Sequence, residues 1–418
     1  MLYFSCIEKR AFMKKTLWTK NFTIITIGTI ISCVGGVAMN LALGLVVFDN
    51  TSSALLTGLY QASIMIPSIL LPILVAPYMD SHKRKPFIFG LDALMGSIYL
   101  LFAFYLMKHD FSYLLYMLFG FVTNGISSIY STAYNAFYPD LISEGFMQKG
   151  YSVSSLIYPT VTVVTAPLST MIYVQLGIPF LFCIVGGLLL LASAFESQIR
   201  IEEKQASAQK FNFKAYRHQI SEGFSYMKQE KGLRNIYSYM AITNACGNGT
   251  ELMTMTYFQT APGLTTTMYA LLTSAVTFGR MIGGFIHYAI KIPQPLRYPM
   301  TVFVYRIYQF IDGIVLFLPY PLMLALRALC GFLGVNSATL RETAVQSYLP
   351  TEMRARVNSL LNVAISLMVL IMQLIVGVLG EFLPYRLVAV FCAVFGFICI
   401  QLFVVRNRKD IEPLYANS

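Results

Sequence analysis

The feature that most limits how this 418-residue chain can fold is the recurrence of apolar runs about twenty residues long. A helix rising 1.5 Å per residue needs about twenty apolar residues to cross the roughly 30 Å hydrocarbon layer of a bilayer. In that layer the backbone finds no water, so each run has to satisfy its own hydrogen bonds as a helix. Such runs lie near 22–48, 55–79, 86–107, 113–135, 151–174, 178–196, 234–258, 266–290, 298–318, 320–340, 357–380 and 385–405. Only 12% of residues are charged, about half the share of an ordinary soluble domain. The chain therefore reads as an all-α membrane protein with twelve transmembrane helices and the lipid bilayer as its main partner.

Twelve spans place both termini on one side, and the basic residues test which side. Of the 30 Lys and Arg, Lys108 and Arg386 fall in gaps on the far side, while Arg280, Arg306 and Arg327 lie within spans. All the others flank the spans on the side of the termini. That bias predicts cytoplasmic termini in a multi-pass protein of the cell membrane. The net charge of +11 is spread through these short gaps, which argues for membrane anchoring and against nucleic acid. The seven cysteines show no metal-ligand spacing and sit mostly inside apolar runs, so no metal and no disulfide framework is expected. The run from Phe22 is too long for a cleavable signal and lacks a small-residue cleavage site. Met13-Lys14-Lys15 reads as an equally natural beginning of the chain.

The longest polar gap divides the chain. A segment 1–21 precedes a first bundle of six spans at 22–196. A connector at 197–233 leads to a second bundle at 234–405, and a tail occupies 406–418. In the connector, Tyr216, Ile220, Phe224 and Met227 recur at helical spacing between charged residues, as in an amphipathic helix at the membrane surface or a solvated linker helix. Tyr138-Pro139 before the fifth run and Leu349-Pro350 before the eleventh hold equivalent places. They suggest two pseudo-symmetric halves.

Polar side chains in hydrocarbon are costly unless they face protein or water, so their positions point to a cavity. Span four carries Asn124, Ser128, Ser131 and Asn135 on one face, and span seven carries Asn244, Asn248 and Glu251. Span one adds Asn40 beside Cys33 and Gly36, and span ten adds Arg327, Gly331 and Gly334. A central cavity lined by spans one, four, seven and ten is the simplest arrangement, although small residues also serve as helix-packing contacts. The charges inside the membrane are Asp92, Glu251, Arg280, Arg306, Asp312 and Arg327. Glu251, Asp312 and Arg327 share one depth. Arg327 is thus expected to neutralise one of the two acids, leaving the other free to carry a proton; a permanent structural pair is the plainer alternative. Either Arg280 or Arg306 would then be available to substrate or to Asp312.

Between spans two and three the chain reads Ala76-Pro77-Tyr78-Met79-Asp80-Ser81-His82-Lys83-Arg84-Lys85-Pro86. This resembles the loop signature Gly-x-Leu-x-Asp-Arg-x-Gly-Arg-Lys of the major facilitator superfamily, with Asp80, Arg84 and Lys85 matching. Phe48-Asp49-Asn50-Thr51-Ser52-Ser53, Gly90-Leu91-Asp92 and Glu222-Gly223-Phe224-Ser225-Tyr226 are similar to the branch holding macrolide and enterobactin exporters. The resemblance implies the major facilitator fold, with Asp80, Arg84 and Lys85 as a conformational latch between the halves. It also implies a proton gradient as energy source, no cofactor, a monomer, and export of a small-molecule substrate. The chain departs from the pattern where the antiporter Gly-Pro should stand, reading Thr165-Ala166-Pro167, and has Tyr116 where span four should carry Arg.

No Walker-type loop, HExxH or GxSxG is present, so neither a self-contained ATP-driven pump nor a membrane enzyme is expected. The function that remains is secondary active transport by alternating access, most simply proton-coupled efflux of an amphipathic compound or drug. One acid in an aromatic cavity would suit a cationic one. Uptake of a nutrient or lipid-like solute, or a non-transporting sensor of the same fold, are the alternatives.

Overall fold

The computed structural model describes residues 16–80, 82–143, 146–201, 213–289 and 292–416. Of the expected N-terminal segment and connector, residues 1–15 and 202–212 lie outside the described residues. The first half contains α1 (Lys20–Thr51), α2 (Ala54–Asp80), α3 (Lys85–Leu106), α4 (Tyr113–Phe137), α5 (Met147–Leu176) and α6 (Ile178–Glu196). After the connector helix α7 (Phe213–Gln229) come α8 (Lys231–Thr260), α9 (Thr266–Ala289), α10 (Gln294–Ile314), α11 (Tyr320–Tyr348), α12 (Thr351–Phe382) and α13 (Tyr385–Cys399). A short α14 (Arg408–Ala416) closes the chain.

The helix limits follow from local chemistry. Thr19 caps α1 by accepting from the Phe22 amide at 3.2 Å, and Ser52, in the left-handed conformation at φ 50°, ends it. Pro86, Pro179, Pro295 and Pro321 open α3, α6, α10 and α11, where a missing N–H costs nothing. Gly177, at φ 81°, turns the chain between α5 and α6.

Eleven of the long helices are apolar enough to cross a membrane. The remaining span is α8, whose 30 residues suffice in length but include Asn235, Asn244, Asn248, Glu251 and a row of threonines. That polarity is affordable because α8 is the most enclosed helix of its half, packed by α12 and α13. The twelve spans thus form two groups of six, with α1 and α6 beginning and ending on one face. There Asn21 bonds to the Arg200 carbonyl at 2.7 Å. The second half also starts and ends on this terminal face, where a methyl group on Gly232 would lie 2.2 Å from the Asp410 carbonyl.

The tail folds as α14 and buries Ile411, Leu414 and Tyr415 against the second half. The spacing of these residues makes one apolar face, too short to register as a span. In the connector, α7 packs against α12, with Tyr226 and Met227 in contact with the same core and Phe224 left 61% exposed.

The halves meet along α2 with α12 and α5 with α9. At the distal face, away from the termini, hydrogen bonds join them. Gln259 donates to Asp49 at 2.6 Å and to the Leu45 carbonyl at 3.0 Å. Glu381 accepts from the Ser53 hydroxyl at 2.5 Å and from the Leu55 amide at 2.9 Å, serving as a cap for α2 borrowed from the opposite half. Gln373 donates to Gln61 at 3.0 Å one layer further in.

Candidate functional site

Behind that distal closure lies a cavity of about 580 Å³. A smaller one of about 170 Å³ adjoins it, sharing Tyr158, Thr162, Asn248, Glu251, Tyr269 and Thr273 as walls. The larger cavity belongs mainly to the second half. α8 presents Asn244, Asn248 and Glu251 along one face, as helical spacing requires, and Tyr239 also lines the wall. α9 contributes Tyr269, Thr273, Thr277 and Arg280, and α10 contributes Tyr305, Tyr308 and Asp312. α11 adds Arg327 and Arg341, and from the first half α5 adds Tyr158 and Thr162.

The charges in this wall are partitioned. Arg327 Nη1 donates to Asp312 Oδ1 at 2.7 Å, with only 11% and 4% of the two side chains exposed. Glu251 has no basic partner among the described residues: it is exposed to the cavity, and its Oε1 accepts from the Tyr269 hydroxyl at a long 3.5 Å. Arg280 is also exposed in the wall and has no hydrogen-bond or ion-pair partner among the described residues. Arg341 donates to the Tyr305 hydroxyl at 3.3 Å and stands over that ring at 5.9 Å.

Other residues singled out in the sequence fall elsewhere. Asn40 lines the smaller cavity together with Gln61. Asn124, Ser128 and Ser131 line neither cavity, contrary to expectation. Asn124 donates to the Gly120 carbonyl at 3.0 Å and Ser128 to the Ser68 carbonyl at 3.3 Å. Their helix packs closely on α2, with Tyr60 and Leu71 filling the space beside Gly120 and Gly125. Gly120 and Gly125 on this helix serve helix packing. Arg306 also points away from the cavity: its neighbours Tyr305 and Tyr308 face inward, and Arg306 itself donates to Gln401 at 3.1 Å. It does not reach Asp312, whose partner is Arg327.

Asp92 is buried in the first half and accepts from the Ser32 hydroxyl. Near it lies Glu196, which sequence reasoning missed because it stands at the last residue of a span and looks like a surface acid. Glu196 is fully buried and accepts from Tyr130 at 3.0 Å, and its other oxygen has no partner among the described residues. Gly28 leaves the room it occupies. In the loop motif, Asp80 closes α2 and its side chain lies outside what the structure describes. Arg84 bonds to Asp140 at 3.4 Å within the same half, so this contact does not join the halves. Lys85 opens α3 with its ammonium 6.0 Å above the Phe89 ring.

A polytopic helical protein built of two six-span halves around a polar, charged cavity has the architecture of a solute carrier. The family model of the Major Facilitator Superfamily matches residues 25–308 and 310–416, and the chain belongs to that superfamily. No curated protein matches it. Among solved structures it is similar to the POT family transporter PepTSo, at TM-score 0.67 and 11% identity over 94% of this chain and 98% of that one. It is also similar to the nucleoside transporter NupG, at TM-score 0.65 and 10% identity over 93% and 99%. A third likeness is to a bacterial homologue of the human lysosomal transporter Spinster in an inward-facing and unoccupied conformation, at TM-score 0.62 and 12% identity over 94% and 93%. At such identities these likenesses speak for the fold. The family and the fold together make the chain a multi-pass membrane transporter and not an enzyme.

Proposed function

We propose that this transporter works by alternating access with a proton as coupling ion, moving a small amphipathic compound across the cell membrane as a monomer. The basic-residue bias supports a cytoplasmic terminal face, so that the closure seen at the distal face leaves the cavity to be loaded from inside. Membership of the macrolide and enterobactin exporter branch rests on the motif resemblance, and it favours export.

One observation carries the coupling. Arg327 is committed to Asp312, which leaves Glu251 facing the cavity with, among the described residues, only a tyrosine hydroxyl at its carboxyl group. A carboxylate without a basic partner, wetted by a cavity and shared between the two cavities, is placed to gain and lose a proton as access alternates. The carboxylates of Asp92 and Glu196 lie outside both cavities and have no such access.

The test is Glu251→Gln in proteoliposomes. The variant should lose uptake or release driven by an imposed pH gradient while keeping substrate counterflow, which needs no net proton movement. Undiminished gradient-driven transport by the variant would overturn the coupling role. A second reading, uptake with the proton, is favoured by the excess of positive charge in the cavity wall.

A further inference from the structure

Taking the cavity to be the substrate site, as the preceding reading does, we propose that the transported compound carries a carboxylate or phosphate group, held at Arg280. The charged residues lining the larger cavity are Glu251, Arg280, Asp312, Arg327 and Arg341. The Arg327–Asp312 pair cancels itself. Glu251 then stands against two guanidinium groups, so the wall keeps a positive excess. This is opposite to the preference for a cation expected from the sequence, because three arginines, two of them without a carboxylate partner among the described residues, line the wall where the sequence drew attention to a single free acid.

The donors in this wall are also underused. Arg280 has no hydrogen-bond or ion-pair partner among the described residues. Arg327, though bonded to Asp312 through Nη1, leaves its Nε buried and unbonded, and the same holds for the Nε of Arg341. A buried N–H without an acceptor is destabilising, and a charged acceptor recovers that loss best. The planar fork of arginine fits two oxygens of a carboxylate or phosphate, whereas a cation would meet repulsion from Arg280. At 1.5 Å per residue, Arg327, Arg280 and Arg341 stand roughly 10, 20 and 30 Å from the distal ends of α11, α9 and α11. They make a graded series of cations from the closed end toward the terminal face, with Arg280 the accessible middle member. The rings of Tyr158, Tyr269 and Tyr308 supply the apolar surface that the rest of an amphipathic anion needs.

The test is a series of isosteric probes differing in charge: 1-naphthaleneacetate, 1-naphthaleneacetamide and 1-naphthylethylamine. Binding to the full-length protein in detergent is measured by titration calorimetry, with binding to empty micelles subtracted. The acetate should bind at least tenfold tighter than the other two. R280Q should lose that margin, R280K should keep part of it, and R280E should shift the preference to the amine. Inorganic phosphate should compete with the acetate, and failure to compete would narrow the group to a carboxylate. Preference for the amine, equal response to all three probes, or an acetate margin unchanged in R280Q would overturn the proposal. Should R280Q elute as aggregate, the wild-type series and R280K decide alone. Acetate binding that depends on Arg280, with no counterflow in proteoliposomes, would remove the transport reading and leave the anion site in place. Counterflow of the amine alone would do the reverse.

Discussion

The contact between α9 and α11 holds two of the three cavity arginines, Arg280 and Arg327, and it depends on two glycines. A methyl group built on Gly279 would lie 1.9 Å from the Ala328 carbonyl oxygen, and one on Gly331 would lie 2.0 Å from that of Val276. In both cases the obstacle is backbone, so no side chain can swing aside. To reach ordinary contact near 3.4 Å the helices would have to part by about 1.5 Å, an overpacking that costs about 1–3 kcal/mol. Replacing glycine with alanine also favours the helix by about 1 kcal/mol, which would mask part of the effect. Gly284 supplies the control: it lies on the same helix, and nothing comes within 4 Å of its added methyl group. The helix-propensity gain is common to both variants, so their difference isolates the packing cost. Heating the detergent-solubilised protein and measuring the surviving monodisperse fraction by size-exclusion chromatography should show G279A melting below G284A. At about 2 °C per kcal/mol the gap would be roughly 2–6 °C. G331A should behave like G279A, and both should bind substrate more weakly because Arg280 adjoins Gly279 and Arg327 lies one turn from Gly331. If G279A melted together with G284A, the close approach of α9 and α11 would be wrong, and with it the placement of the arginines.

The buried ion pair makes a second prediction. Asp312→Asn leaves Arg327 charged and uncompensated, at a cost of about 3–5 kcal/mol, whereas Asp312→Asn with Arg327→Met removes both charges and should restore a monodisperse, folded protein. A double variant as unstable as the single one would refute the pairing. A third concerns the distal closure. Glu381→Ala removes an acceptor for Ser53 and the Leu55 amide in a solvent-exposed setting, worth about 1 kcal/mol, so cysteines placed along the distal half of the cavity should label about fivefold faster.

Much of the fold could be read in the sequence because a bilayer imposes one length scale on every span. Helix after helix had to be about twenty apolar residues long, and the polar gap at 197–233 could only be a divider. α8 was recognised despite its polarity because Asn244, Asn248 and Glu251 share a face, and a helix with one polar face can lie against a cavity. The site was read only in part. The pairing of Arg327 with one acid at equal depth follows from helix rise, but the choice of Asp312 over Glu251 depends on rotation about the helix axes, which spacing within one helix cannot give. The same missing rotation sent Asn124 and Ser128 into a packing seam and Arg306 toward Gln401. Tyr158 and Thr162 of α5 were missed because threonines and tyrosines are common in any span and carry no charge to mark them. Glu196 was missed because it ends its helix, where an acid ordinarily meets water.

The charge partition in the cavity also bears on direction of transport. If Glu251 is the proton carrier and Arg280 the anchor for an anion, both ligands change the same local balance. Protonating Glu251 removes the negative charge that opposes the anion, so proton and anion reinforce each other's binding, and by linkage the effect is equal in both directions. Ligands that load together also travel together, and with the proton gradient directed inward that arrangement imports. A cation would instead compete with the proton for the region around Glu251 and exchange against it, which is the scheme for export. The sign of the pH effect on probe binding therefore separates the uptake reading from the exporter resemblance. Tighter binding of the naphthalene acetate at lower pH, lost in Glu251→Gln, goes with co-transport, and weaker binding of the amine at lower pH goes with exchange. Because Arg327 and Asp312 neutralise each other in either case, this sign depends on Glu251 and Arg280, and both can be altered without uncovering the buried pair.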